Sequence, residues 1–287
     1  MAIIPISNLP QSAALSGAEL FPIVQGGTTK HVEVSSFVGG VNNVASGVHS
    51  TIAGGECNNA NGTWSTITGG VSNCAPGSVS FIGGGYCNCS AGAHSTVAGG
   101  FTNIASATQT TVGGGRGNVA YSNYGTVGGG KDNCSLGTAT TIAGGKDNYV
   151  YITSSACSFI GGGYNNCIGS LFGPSTVAGG TNNKASGFGS GGFIGGGDQN
   201  CVTGMDNVIV GGKCNSTTSG NCGGILGGVS NTVTHDHSFI TGSNISSVSA
   251  NMLHATTLYL SAAALPTSDP NQPGVVWNDS GTLKISQ

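Results

Sequence analysis

Charge is scarce in this chain: Lys and Arg together number 7 and Asp and Glu 10 among 287 residues, 6% against a usual ~25%. A net charge of -3 leaves no basic patch for phosphate backbones or anionic lipid, so nucleic-acid binding is excluded. No apolar run reaches the ~18 residues of a membrane-spanning helix, and no membrane insertion is expected. The opening Met1-Ala2-Ile3-Ile4-Pro5 has neither the basic start nor the apolar stretch of a secretion signal, so synthesis in a cytoplasm is expected. Only 8 prolines occur and no Gly-X-Y period, which removes collagen. The 10 cysteines, without a signal, read as small buried thiols rather than a disulfide framework.

What is abundant is glycine, 54 residues, and it is periodic. Ser50-Thr51-Ile52-Ala53-Gly54-Gly55 returns as Ser65-Thr66-Ile67-Thr68-Gly69-Gly70, as Ser95-Thr96-Val97-Ala98-Gly99-Gly100 and onward. Taking the apolar residue as anchor, the series runs Phe37, Ile52, Ile67, Ile82, Val97, Val112, Val127, Ile142, Ile160, Val177, Ile194, Ile209, Ile225 and Ile240. Its intervals are 15 seven times, then 18, 17, 17, 15, 16 and 15. A helical repeat needs more residues, so the spacing predicts an all-β chain: a parallel β-roll or β-solenoid of about 14 turns and period ~15, a rod of roughly 67 Å.

Six residues after each anchor stands an asparagine: Asn43, Asn58, Asn73, Asn88, Asn103, Asn118, Asn133, Asn148, Asn166, Asn183, Asn200, Asn215 and Asn231, with Ser246 breaking the series. An amide at one position of every turn can donate one way along the stack and accept the other, forming a structural ladder that fixes register. The Gly-Gly pair two and three residues after the anchor supplies conformations or close approaches denied to side chains. Fifteen residues enclose little more than one apolar residue from each of two strands, so burial between chains is expected. The residue before the anchor is usually Thr, but Phe81, Phe159 and Phe193 are each followed two positions later by Gly83, Gly161 and Gly195. Large beside small implies either a face covered by another chain or a ring lying flat on its neighbour's backbone. Phe239 with Thr241 is an exception.

The Ser-Thr-Ile-Ala-Gly-Gly…Asn…Ala-Ser-Gly pattern, clearest at 50–62, 95–106 and 175–187, is similar to the head repeats of YadA-like trimeric autotransporter adhesins. The resemblance spans about residues 37–246 and implies a left-handed roll and a homotrimer. The chain departs from those heads in carrying Gly-Gly where they usually carry Ile-Gly, and it shows no stalk or outer-membrane anchor. The segment Leu20-Phe21-Pro22-Ile23-Val24-Gln25-Gly26-Gly27-Thr28-Thr29-Lys30 resembles the opening of bacteriophage tail-fibre proteins, and Gly274 to Ser286 resembles their ends. Both read as hairpins, around Gln25-Gly26-Gly27-Thr28 and around Asn278-Asp279-Ser280-Gly281. The expected division is 1–36 for attachment or capping, 37–247 for the repeats and 248–287 for a hairpin cap, since solenoid ends expose strand edges.

Candidate chemistry is sparse. Asp132 and Asp147 fall in adjacent turns, roughly 5 Å apart, as in a retaining glycosidase, but Lys131 and Lys146 precede them and make a solvated ladder of mixed charge the better reading. Cys74 with Cys89, and Cys134 with Cys167, share a register position; β-carbons ~4.8 Å apart exceed the ~3.8 Å of a relaxed disulfide. His235-Asp236-His237 falls in the turn between two repeats, where polar residues need no special reason; were it a strand, it would place two imidazoles on one face, and three chains would bring six to a three-fold axis, a set fit for a transition metal. The three long intervals predict raised corners carrying Tyr149 and Tyr151, Leu171 and Phe172, and Phe188, candidate receptor-contact loops for a host surface glycan or locks between protomers.

The expected function is therefore a non-enzymatic, homotrimeric fibre or spike component of a phage virion, bound to other virion proteins and contacting the host surface like an adhesin. Two alternatives stand beside it: an ice-binding solenoid using the Thr file of Thr51, Thr66, Thr96, Thr111, Thr126 and Thr141, which Phe81, Phe159, Phe193 and Phe239 interrupt, and a capsule-depolymerising spike.

Overall fold

Glycine pairs and β-branched anchors at a fixed period favour short strands joined by tight corners. The protein, as a computed structural model, is described at residues 20–25, 28–33, 40–151, 157–169, 173–187, 191–257, 265–268, 270–273, 276–279 and 282–286. Among these every regular element is a strand. Each turn contributes the anchor strand, as at Thr51–Ile52, and a second strand such as Asn59–Ala60, both of two residues. The thirteen anchor strands stack in register, Thr51 opposite Thr66 and Ile52 opposite Ile67, up to Phe239–Thr241, and with Leu253–Ala255 make one 14-stranded parallel sheet. The second strands stack likewise, from Val44–Ala45 through the bridges Asn59 to Cys74 to Cys89 and on to Thr232 and Ser246.

Thirteen anchors, Ile52 to Ile240, lie in this β-solenoid, while Phe37 falls outside the described residues. One rung was not legible: Leu253–Ala255 pairs in parallel with Phe239–Thr241, setting His254 opposite Ile240, beyond the boundary expected at 247. A third ladder was also missed. The residue after each Gly-Gly pair bridges to its equivalent in the next turn, from Val41 and Glu56 to Lys213 and Val229. Each turn thus has two sheets, a first corner beginning at the Gly-Gly pair and carrying the bridge ladder, and a second corner leading back to the anchor.

The core is as thin as the period demands. Ile67, Asn73, Ala75 and Ser80, from two adjoining turns, are all buried, and the pattern repeats with Ala, Ser, Thr, Val or Ile in Ala75's place. Volume is exchanged across the core: Val202 packs where Gly192 leaves room, and Val233 beside Gly223, whose missing Cβ would lie 3.1 and 2.9 Å from the respective valine methyls. Hydroxyls close the second corner, as where Ser95 Oγ donates to the Gly92 carbonyl at 2.7 Å and Thr140 Oγ1 to that of Gly137 at 2.8 Å.

The terminal segments form the expected hairpins. Leu20–Gln25 pairs antiparallel with Thr28–Glu33, and Val276–Asp279 with Thr282–Ile285, each as a two-stranded sheet of its own. The second turn lies one residue later than the sequence indicated, closing at Asp279 opposite Thr282.

Candidate functional site

The amide column is the most regular feature of the interior. Asn73 donates through its backbone N–H and its Nδ2 to Asn58 Oδ1 at 3.0 and 3.1 Å, and through the same Nδ2 to the carbonyls of Gly69 at 3.0 Å and Gly85 at 2.9 Å. The pattern persists through the irregular turns: Asn166 N donates to Asn148 Oδ1 at 3.0 Å across eighteen residues, and Asn183 N to Asn166 Oδ1 at 3.0 Å across seventeen. All the ladder asparagines from Asn58 to Asn231 are buried, while Asn43, on the first described rung, is half-buried. Where Ser246 breaks the series, the Ile245 N–H donates to Asn231 Oδ1 at 3.0 Å and terminates it. Buried amides with both ends bonded fix register and the approach of one turn to the next. They offer no reactive group.

The outer surfaces differ in chemistry. On the anchor sheet, the outward residues on either side of each anchor, from Thr51 and Ala53 to Phe239 and Thr241, include no charged side chain. On the second sheet, the outward residues from Val44 to Val248 include only Lys184. The cysteines correct the expectation of buried thiols. Cys74, Cys89, Cys134, Cys167 and Cys201 point out from the second sheet and are half-buried, and Cys57, Cys157 and Cys222 are exposed at corners. Small interior positions go to Ala, Ser and Val instead, because two-residue strands send alternate side chains to opposite faces. All ten thiols are free. Burial pushes the thiols of Cys74, Cys89, Cys134 and Cys201 up from their ordinary value, and Cys74 adds to the rise at Cys89. Groups held as thiols are weak nucleophiles.

The Phe–Gly correlation has a cause within the chain. A Cβ on Gly83, Gly161 or Gly195 would lie 2.2–2.3 Å from the carbonyl oxygen of Ala98, Ala178 or Val210 on the next turn, and 3.4–3.5 Å from the ring of Phe81, Phe159 or Phe193, so each ring rests over its own glycine at ordinary contact distance while the next turn's backbone crowds the missing side chain. Phe239 covers Gly224 of the preceding turn, whose Cβ would lie 2.8 Å from the ring, which accounts for the exception.

Of the candidate contact loops, Leu171, Phe172 and Phe188 lie outside the described residues. Tyr149 and Tyr151 are not on a raised corner. Tyr149–Val150 is a strand with Val150 in the core, and the Tyr151 N–H continues the ladder to the Ile168 carbonyl at 3.0 Å. Their rings meet edge to face at 4.7 Å on the second sheet. Burial raises the Tyr149 hydroxyl, with the Cys134 thiol adding to it, while a hydrogen bond to Cys167 raises that of Tyr151.

His235, Asp236 and His237 occupy a second corner rather than a strand. His237 stands at φ +53° and is exposed, while His235 Nδ1 lies 3.1 Å from Ser247 Oγ, so the rings do not share a face. Asp236 Oδ1 accepts the Asn221 N–H at 2.7 Å. Among the described residues no group of three or more His, Cys, Asp or Glu is placed to hold a metal ion.

The charges gather at the first corner. Lys131 pairs with Asp132 at 3.7 Å, Lys146 with Asp147 at 3.6 Å and Lys213 with Asp198 at 3.3 Å, all partly solvated. Tyr86 stacks on Phe101 at 5.1 Å, with the Arg116 guanidinium 5.5 Å from the Phe101 ring centre and Lys146 Nζ 5.1 Å from that of Tyr164. The mixed-charge ladder expected at Lys131-Asp132 and Lys146-Asp147 is present as ion pairs, but no periodicity of residue type extends it along the column, so the rest was not legible. The signal was position alone, one residue after Gly-Gly. No protein-family model matches the chain, and no curated protein is similar enough to count as a relative.

Proposed function

We propose that the chain is a non-enzymatic structural rod that assembles as a homotrimer and serves as a fibre or spike component of a bacteriophage virion. The observation that carries the assembly is the segregation of charge: both sheet faces are free of charged residues except Lys184, while ion pairs crowd the first corner. A solvated rod favours charges spread over its whole surface, and long uncharged sheet faces invite association. Two distinct faces per chain call for a head-to-tail ring, in which one copy's anchor face meets the next copy's second face and the ring closes at three. With about two apolar side chains per turn to offset the ordering of fifteen residues, packing between copies supplies the missing burial. The phage reading rests on the terminal hairpins and their likeness to tail-fibre ends. One hairpin attaches to the particle and the rod extends the other toward the host surface. Sedimentation equilibrium of the full chain tests the assembly. The expected mass is three times 28.0 kDa, and a stable monomer at micromolar concentration would overturn it.

A further inference from the structure

Of the seven basic residues in the chain, Arg116, Lys131, Lys146 and Lys213 all stand one position after a Gly-Gly pair. Three of them belong to six consecutive bridged rungs, Tyr86, Phe101, Arg116, Lys131, Lys146 and Tyr164. Beside this column runs a second one of oxygen-bearing side chains held outward by left-handed backbone, Asp132 and Asp147 at φ +54° and +55°, then Asn165 and Asn182 at +52° and +53°. These two columns form a stripe along the first corner, apart from the two charge-free sheet faces.

We infer that this stripe binds a linear, neutral polysaccharide. Lys131 and Lys146 are each matched by an aspartate of their own turn and Lys213 by Asp198 of the turn before, so the stripe carries little net field and does not select a polyanion. What it presents is donors and acceptors side by side on successive rungs ~4.8 Å apart. The Asn165 amide donates to Asn182 Oδ1 at 2.7 Å and leaves the outer donors and acceptors of both groups to solvent. A ligand complementary to that pattern has groups that both donate and accept, repeated along a chain, without charge, which describes the hydroxyls of a polysaccharide. The half-exposed rings of Tyr86, Phe101 and Tyr164 add apolar contact, and since Phe101 lies between Tyr86 and Arg116, ring edges and tyrosine hydroxyls contribute more than a free aromatic face. Mutual stacking holds these side chains in place before binding, which lowers the ordering cost.

The inference rests on the fibre reading only for where such a polymer is met. Its test is affinity electrophoresis of the purified full chain through gels containing a linear β-glucan, a linear mannan or dextran, with polygalacturonate as the charged control. At least one neutral polymer is expected to retard the protein, with retardation persisting at about 0.5 M NaCl, where surface charge is screened. Affinity should fall about tenfold in Arg116→Ala/Tyr164→Ala and in Asn165→Ala/Asn182→Ala, and stay unchanged in Trp64→Ala/Tyr124→Ala at the second corner, circular dichroism confirming each fold. Retardation by no neutral polymer, retardation by polygalacturonate alone that vanishes in salt, or undiminished binding in both stripe variants would each overturn the inference. A monomer that is retarded would remove the assembly and keep the stripe, and an unretarded trimer would do the reverse.

Discussion

Gly144 and Gly145 are neighbours with opposite requirements, and substituting each with alanine tests the geometry of the first corner. A Cβ on Gly144 would meet nothing within 4 Å, and its φ lies outside the left-handed range. Gly144→Ala therefore restricts the unfolded chain without clash and should stabilise by about 0.4–1 kcal/mol. Gly145 stands at φ +89°, and a Cβ there would lie 2.3 Å from the Gly163 carbonyl oxygen and 2.5 Å from Asn148 Nδ2. That oxygen accepts the Lys146 N–H at 2.9 Å and the Asn148 amide at 3.0 Å, so relieving the clash parts two hydrogen bonds as well as straining the backbone. At ~1 kcal/mol for each bond and ~1–2 kcal/mol for the conformation, Gly145→Ala should destabilise by about 3–4 kcal/mol. Guanidinium unfolding followed by circular dichroism reads both, provided the slopes agree. Equal effects, or a more damaging Gly144→Ala, would show that the two glycines do not differ in the way this corner requires.

Asn133→Ala removes an amide that donates to Asn118 Oδ1, Gly129 and Gly145 and accepts from Asn148, and should cost about 3–5 kcal/mol in the same unfolding measurement, against about 1–2 kcal/mol for Asn43→Ala on the half-buried first described rung, where the amide donates to Gly55 and accepts from Asn58. Val79 is a β-branched residue at φ +56° with 45% of its surface exposed, so Val79→Asn should raise stability by about 1 kcal/mol, read as an upward shift of the thermal midpoint. The raised thiols of Cys74, Cys89, Cys134 and Cys201 keep their protons in the fold at a pH where unfolded thiols, near 9.0, have lost theirs. Stability from these groups is complete below that value and falls as pH rises above it, so the unfolding midpoint should drop once the pH passes 9.0, and replacing the four with serine should lessen the drop.

The period, the anchor, the amide and the glycine pair were legible because each serves one interior contact that every turn must repeat: Ile67 and Asn73 do for their turn what Ile82 and Asn88 do for the next. Positions facing outward obey no such constraint. The bridged column from Glu56 to Lys213 mixes acids, bases and rings because its pairing is made by backbone alone. The rung of His254 was hidden by an interval of 14 and by an imidazole where every other described turn has an aliphatic anchor. Tyr149 and Tyr151 looked like a raised loop because their interval is long, yet Val150 fills the core and the extra residues come after them. Of the two readings of the phenylalanine pattern, the contact geometry fits the ring lying flat on neighbouring backbone, each ring resting over its own glycine.

Which surfaces other copies of the chain cover is decided by one matched pair of rings. In the single chain Phe239, on the anchor face, and Phe101, on the first corner, are each 44% exposed. Hydroxyl-radical footprinting of the native protein, read residue by residue by mass spectrometry, should find Phe101 oxidised as readily as an exposed ring and Phe239 protected at least severalfold, with protection lost on unfolding. Equal oxidation of the two rings in the folded protein would mean that the anchor face meets water, and that the uncharged sheets are not where copies of this chain join.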